Sequence, residues 1–270
     1  MAYFIGECKL FDGELNHLDF SNVTNLYRAF YLCENYNSSI SNFDLSNVDN
    51  FSQAFISCRK FNQEIKHLNL SNARYLRESF RDCTALNQDV RGITYKQGAL
   101  LDKTFEACTA MNHPGLAVEF PFPAHVNLYR TTIGWSGFKQ SISNWTQPLP
   151  WSVWGLFYGW NQFNQDVSHL NLSNVTKLEY TFSYSAFNND SFKNWDFTNS
   201  NLTSIAGTFK SCNMVSTNQR ILSNWDVSNI ENMYAIFDKS ALGTATNGSF
   251  DLSDWDTSNV KNLGRAFANS

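Results

Sequence analysis

Cys8, Cys33, Cys58, Cys83 and Cys108 stand 25 residues apart, and Phe30, Phe55, Phe80 and Phe105 keep the same interval. Chance does not set two columns in step. The stretch Phe61 to Cys83 is the template, with apolar residues at Phe61, Ile65, Leu68, Leu70, Ala73, Leu76, Phe80 and Cys83. The chain repeats it about ten times. Such a chain can gather its apolar positions into one core only by winding, so that each repeat is a coil burying its face on its neighbours. The expected fold is an α/β solenoid, a single domain over residues 1–270, with a parallel β-sheet on one face and short helices on the other.

Each regular coil has two halves. In the first, Ile65, Leu68 and Leu70 are apolar while His67 and Asn69 between them are polar, which reads as a short strand with one face inward. In the second, Val23, Leu26, Phe30 and Cys33 recur at helical spacing. The pairs Ser21-Asn22, Ser46-Asn47, Ser71-Asn72, Ser173-Asn174, Ser228-Asn229 and Ser258-Asn259 precede these stripes and read as helix N-caps. Asn62-Gln63, Asn87-Gln88 and Asn164-Gln165 mark the return turn, where amides can bond both to the backbone and to the matching amide of the next coil. The column Phe11, Tyr36, Phe61, Leu86 is expected to stack inside.

Three regions follow. Residues 1–108 hold regular 25-residue coils, and residues 161–270 hold regular coils with loop insertions at Ser216 to Gln219 and Gly243 to Ser249. Residues 109–160 are irregular and contain all five prolines, Pro114, Pro121, Pro123, Pro148 and Pro150, together with Trp135, Trp145, Trp151, Trp154 and Trp160. Counted on the cysteine position, the irregular coils fall at Ser136 and Trp160. Prolines cannot donate to a strand ladder, so a bulge or protruding loop is expected near Phe120 to Asn127. Its aromatics either repack inward or form a binding patch including Phe122, Trp151 and Trp154.

Repeats of the form Phe163-Asn164-Gln165-Asp166-Val167 followed by Leu172-Ser173-Asn174-Val175, and Ser223-Asn224-Trp225-Asp226-Val227-Ser228-Asn229-Ile230, resemble the BspA-like leucine-rich repeats. The resemblance covers almost the whole chain and fails only around Thr109 to Pro150. It implies a right-handed leucine-rich-repeat-like solenoid and a non-enzymatic role in surface adhesion or recognition, with no catalytic residue to carry over.

Charge and composition exclude several partners. The formal charge is −4 and the Lys and Arg residues form no stripe, so neither nucleic acid nor an acidic membrane surface is an expected partner. No run of about eighteen apolar residues occurs, so membrane insertion is not expected either. Met1 to Leu10 has no basic start and no apolar run of export length, so the chain is expected either to be cytoplasmic at synthesis, as virion proteins are, or to reach a cell surface by an export signal outside this sequence. The cysteines share one position of the repeat, the mark of a structural column of thiols; neighbouring side chains point the same way, a poor geometry for disulfides.

If Leu68 and Leu70 face inward, outward columns follow. One contains His67, His169 and Asp254, and the other contains Asn69, Asn171, Asp226 and Asp256. These short polar groups form either a solvated face whose Asp and Asn also bond the backbone of the following cap or a recognition surface. No cofactor is expected, and no metal, because the histidines lack partners at ligand spacing. The leading expectation is a non-enzymatic recognition or adhesion module for a protein or glycan on a cell or virion surface. The alternative is a structural component of a virion or surface assembly, self-associating or docking through open coil ends. A polysaccharide-acting enzyme is the third class; every Asp, however, has a role in the repeat.

Overall fold

The computed structural model describes residues 2–189, 191–195, 197, 201–212, 222–240 and 251–270. The insertions expected at Ser216 to Gln219 and Gly243 to Ser249 lie outside them. Successive laps of the chain lie parallel and in step. Parallel bridges run Asn25 to Asn50 to Tyr75 to Leu100 to Asn127, and again Ser152 to Lys177 to Ser204 to Asn232 to Asn262. The regular strands are short: β1 (Asn69–Leu70) pairs in parallel with β2 (Thr94–Tyr95).

The stripe Val23, Leu26, Phe30, Cys33 is buried, but it is not an α-helix. Among the described residues the helical elements are two 3₁₀ turns, Pro114–Ala117 and Ser191–Asn194. Two short turns replace the expected helix. The Ala29 amide donates to the Leu26 carbonyl at 3.0 Å and the Cys33 amide to the Phe30 carbonyl at 3.1 Å. The third residue of each turn, Arg28 at φ 55° and Leu32 at φ 57°, is left-handed, the signature of type II turns.

The alternate amides point the other way, toward the next coil. Leu26 donates to Asn50 at 2.8 Å, Arg28 to Ser52 at 3.2 Å, Phe30 to Ala54 at 2.8 Å and Leu32 to Ile56 at 2.9 Å. The following coil repeats the pattern from Phe51, Gln53, Phe55 and Ser57 to Tyr75, Arg77, Ser79 and Arg81, each at 2.8 Å. An α-helix would have consumed these amides internally. A left-handed non-glycine residue costs about 1–2 kcal/mol, so two per coil cost about 2–4 kcal/mol. Four cross-coil bonds at about 1 kcal/mol each, with a buried Phe contributing about 1.5–3 kcal/mol, outweigh that strain.

The Ser-Asn pairs are likewise not helix caps. They are the two central residues of turns closed from Val23 to Phe20, Val48 to Leu45 and Ala73 to Leu70. The Asn47 amide group donates to the Ser21 carbonyl of the preceding coil at 2.8 Å, and Asn72 to Ser46 at 2.7 Å. At the return turn, Asn37 accepts from the Asn62 backbone and Asn62 from the Asn87 backbone, both at 2.8 Å. Side-chain amides therefore extend the stacking where the backbone ladder stops.

Inside, equivalent aromatics overlie one another. Phe30 lies 4.5 Å from Phe55, Phe55 5.5 Å from Phe80 and Phe80 5.4 Å from Phe105, with nearly parallel rings. The column Phe11, Tyr36, Phe61 stacks at 6.0 and 6.3 Å. Thr132 interrupts the phenylalanine column, which resumes at Phe157 and continues through Phe182, Phe209 and Phe237. At the break the paired indoles of Trp135 and Trp160, 5.6 Å apart, supply the missing volume.

The cysteine column is a column of hydrogen-bond donors. Cys58, Cys83 and Cys108 donate to the Phe30, Phe55 and Phe80 carbonyls of the preceding coil at 3.0–3.2 Å. Trp135 then takes the position, its indole N–H reaching the Phe105 carbonyl at 3.1 Å, and Trp160 follows on Thr132 at 2.9 Å. This moves the fifth coil's marker from Ser136 to Trp135, because an indole N–H meets the same buried carbonyl. All six cysteines are free. Burial pushes the Cys33 thiol up to about 11 and those of Cys58 and Cys83 well above the ordinary range, so these groups stay protonated.

Phe80 is almost fully buried between two parallel rings. Phe80→Ala is expected to destabilise the chain by about 3–5 kcal/mol, read as a lowered midpoint in denaturant unfolding with the protein still folded in buffer.

Candidate functional site

The outward columns marked in the sequence are mostly engaged in holding turns. Asn69 accepts from the Ser71 backbone at 3.2 Å, Asn171 from Ser173 at 3.1 Å, Asp226 from Ser228 at 3.0 Å and Asp256 from Ser258 at 3.0 Å. His169 donates through Nε2 to the Ile142 carbonyl at 2.7 Å, and His67 is exposed. Among the described residues no hydrogen bond joins these side chains into one constellation, and no cluster of three or more His, Cys, Asp or Glu is arranged to hold a metal ion.

The Pro-rich segment divides. Phe122 is 4% exposed, packed 6.2 Å from Phe105 and 5.9 Å from Phe120, so it is a core residue and not a surface contact. Trp135, Trp145 and Trp160 are buried too, each with its indole N–H on a carbonyl of the preceding coil. These rings fill the volume left where the regular column lapses. A cavity of about 550 Å³ opens beside them, lined by Arg91, Tyr95, Glu119, Phe122 and His125 among others. Trp151 is 45% exposed, and Trp154 is half-buried.

Trp154 belongs to a larger group that the sequence patterns did not single out. The type II turns leave the positions of Tyr27, Arg28, Tyr31 and Leu32 at least partly outside, and in the middle coils aromatics occupy the equivalent places. Tyr129 lies 5.1 Å from Trp154, and Trp154 5.0 Å from Tyr180. Tyr158 lies 6.4 Å from Trp154 and 5.2 Å from Tyr184. Tyr129 and Tyr184 are exposed. Gly207, left-handed at φ 61°, makes room: a Cβ there would fall 2.5 Å from the Tyr180 ring. The available signal was the four-residue spacing of Trp154 with Tyr158 and of Tyr180 with Tyr184, which a helical reading assigns to a solvated outer stripe.

Charged ladders flank the rings on both sides. Arg28 donates to Gln53, Gln53 to Glu78, and Lys103 pairs with Glu78 at 3.5 Å. Next to the rings, Arg130 pairs with Glu106 at 2.6 Å and lies 6.0 Å from the Trp154 ring centre. Beyond them, Asp238, fully buried, is held by Lys210 at 3.0 Å and Arg265 at 3.1 Å. The hydrogen bond from Arg265, then that from Lys210, holds the Asp238 carboxyl below the usual carboxylate range, while burial opposes them. Burial pushes the Tyr158 and Tyr180 phenols up, so both are neutral at physiological pH. Three atoms at the edge of the patch remain buried without a hydrogen-bond partner: Asp102 Oδ1, Glu106 Oε2 and Arg130 Nε.

A chain of stacked coils presenting a continuous row of side chains on its outer turns is a repeat scaffold. It belongs to the family described as Mycoplasma protein of unknown function, DUF285, whose model matches residues 1–117, 127–221 and 200–270. A search of curated proteins returns no match. No helix among the described residues is long and apolar enough to cross a membrane.

The carboxylates set the acid response. The folded pKa of Asp238 lies below its unfolded value, so the unfolded chain binds the proton first as pH falls, and stability present above the ordinary carboxylate range is lost on acidification through the folded pKa. The Asp49 carboxyl beside Arg74 and the Asp89 carboxyl beside Arg91 are shifted in the same direction. Melting temperature is therefore expected to hold steady from neutral pH down to about pH 5 and to fall below about pH 4. Asp238→Asn should lower it at neutral pH and flatten the acid limb, as read by thermal scans across pH.

Proposed function

We propose that this chain is a non-catalytic recognition module of the BspA-like leucine-rich-repeat type, a right-handed solenoid that engages its partner through the outer turns of its middle coils. One observation carries the reading: Tyr129, Trp154 and Tyr180 lie on three successive coils, with Tyr158 and Tyr184 beside them, in an exposed to half-buried row. Tyr and Trp combine a large apolar area with a polar tip at low entropic cost, which is why they dominate binding surfaces. The fold does not need them outside, since the core already has its own aromatic columns. Adhesion or recognition at a cell or virion surface is the role such a row serves.

Arrays of extracellular-matrix proteins and of glycans, probed with the wild-type chain and with Tyr129→Ala and Tyr184→Ala, test the proposal. Binding to at least one component that weakens about tenfold in either variant, the loss of roughly 1.4 kcal/mol, is the expected result. Binding indifferent to both substitutions, or no binding at all, contradicts it.

A further inference from the structure

We infer that the ligand of the aromatic row is an uncharged glycan chain lying along the stacking axis, an assignment that rests on the recognition role proposed above and narrows it.

Three properties of the face lead there. The first is spacing. From Tyr129 to Trp154 to Tyr180 the rings advance by 5.1 and 5.0 Å, and from Tyr158 to Tyr184 by 5.2 Å. One step is one coil, close to the length of a single sugar unit in an extended glycan. A polymer with that repeat meets one ring per unit, the rings tilted 37–48° to one another and Tyr180 one place further along its turn than Trp154, whereas a peptide strand, rising about 3.3 Å per residue, falls out of register. Stacking between a ring and the C–H face of a pyranose needs only a flat apolar surface.

The second is charge. Arg130 is neutralised by Glu106, and Lys210 and Arg265 share Asp238. Among the described residues Arg130, Lys210 and Arg265 are committed to carboxylates, so a sulfated or phosphorylated partner would have to break these pairs or rely on the exposed Lys177. An uncharged partner has no such cost.

The third is unused hydrogen-bonding capacity. Glu106, only 6% exposed, keeps Oε2 without a donor, and Arg130 keeps Nε without an acceptor. Buried polar atoms left in this state are rare in folded proteins. One requires a donor and the other an acceptor, and a sugar hydroxyl supplies both once the partly exposed Arg130 side chain shifts to open these enclosed atoms, or through one bridging water. These atoms sit at the edge of the row, since the Arg130 guanidinium lies over Trp154.

Titration with hexasaccharides of β-1,4-linked glucose and of β-1,4-linked N-acetylglucosamine, alongside a neutral-glycan array, tests the assignment, with a heparin hexasaccharide as the charged control. Tryptophan fluorescence and calorimetry report binding. Expected is binding of at least one neutral glycan, with affinity rising with chain length up to the span of the row and little dependence on salt. Tyr184→Ala, at an exposed position that leaves the core intact, should weaken it about tenfold, and Glu106→Gln should weaken it with the fold retained by circular dichroism. No neutral glycan binding in a Tyr184-dependent way, or heparin binding as tightly as the neutral chains, overturns the assignment. If matrix proteins are bound through Tyr184 while neutral glycans are not, the recognition role stands and the glycan is wrong. If nothing binds through the row, both fall.

Discussion

The structure depends on a division of labour among backbone amides. In the outer half of every regular coil, one amide closes a turn within its own coil and the next reaches up to a carbonyl of the following coil. That alternation keeps consecutive coils in step, and everything stacked inside or outside inherits the register. It also requires left-handed residues four apart, at Arg28 and Leu32, Gln53 and Ser57, Glu78 and Asp82, and onward to Arg265 and Asn269. Side chains with no preference for that conformation accept it because the ladder and the core on either side over-determine it.

The inner columns obey the same rule with different atoms. A thiol, an indole and a hydroxyl can each occupy the cysteine position because each offers one donor to one buried carbonyl, as Cys83, Trp135 and Ser270 do. Ser79, Thr104, Thr131 and Thr208 form a second column of hydroxyls, each bonded to a carbonyl of the preceding coil at 2.9–3.0 Å. Residue type varies along a column while the donor is kept at most places; Ser185 and Cys212 turn instead to the Phe182 and Phe187 carbonyls, and Ser240 Oγ has no partner among the described residues. This explains how the chain passes through its irregular stretch without losing the stack.

Which residues lie above one another was legible in the sequence, because columns such as Phe30, Phe55 and Phe80 leave no other arrangement. The local backbone was not. Buried positions at Leu26, Phe30 and Cys33 have helical spacing, but two chained four-residue turns produce the same spacing, and only Gly134, Gly155, Gly159 and Gly207 hint at left-handed sites that elsewhere carry Arg, Gln, Glu or Asp. The candidate site suffered from the same ambiguity. Assigned to a helix, Tyr158 and Tyr184 are scattered solvated residues; on stacked turns they are neighbours. The Asp and Asn columns attracted attention through regularity, yet Asp226 and Asp256 repeat because the following serine backbone needs an acceptor. For Phe122 the sequence left both inward packing and a surface patch open, and the ring packs inward against Phe105 and Phe120.

The most direct test of the alternating ladder is the measurement of scalar couplings across hydrogen bonds by NMR on isotopically labelled protein. The account predicts that the amide nitrogen of Phe55 couples to the carbonyl carbon of Ser79, and that of Phe30 to Ala54. Coupling of Phe55 instead to Phe51, four residues back in its own coil, would mean an α-helix and would contradict the account.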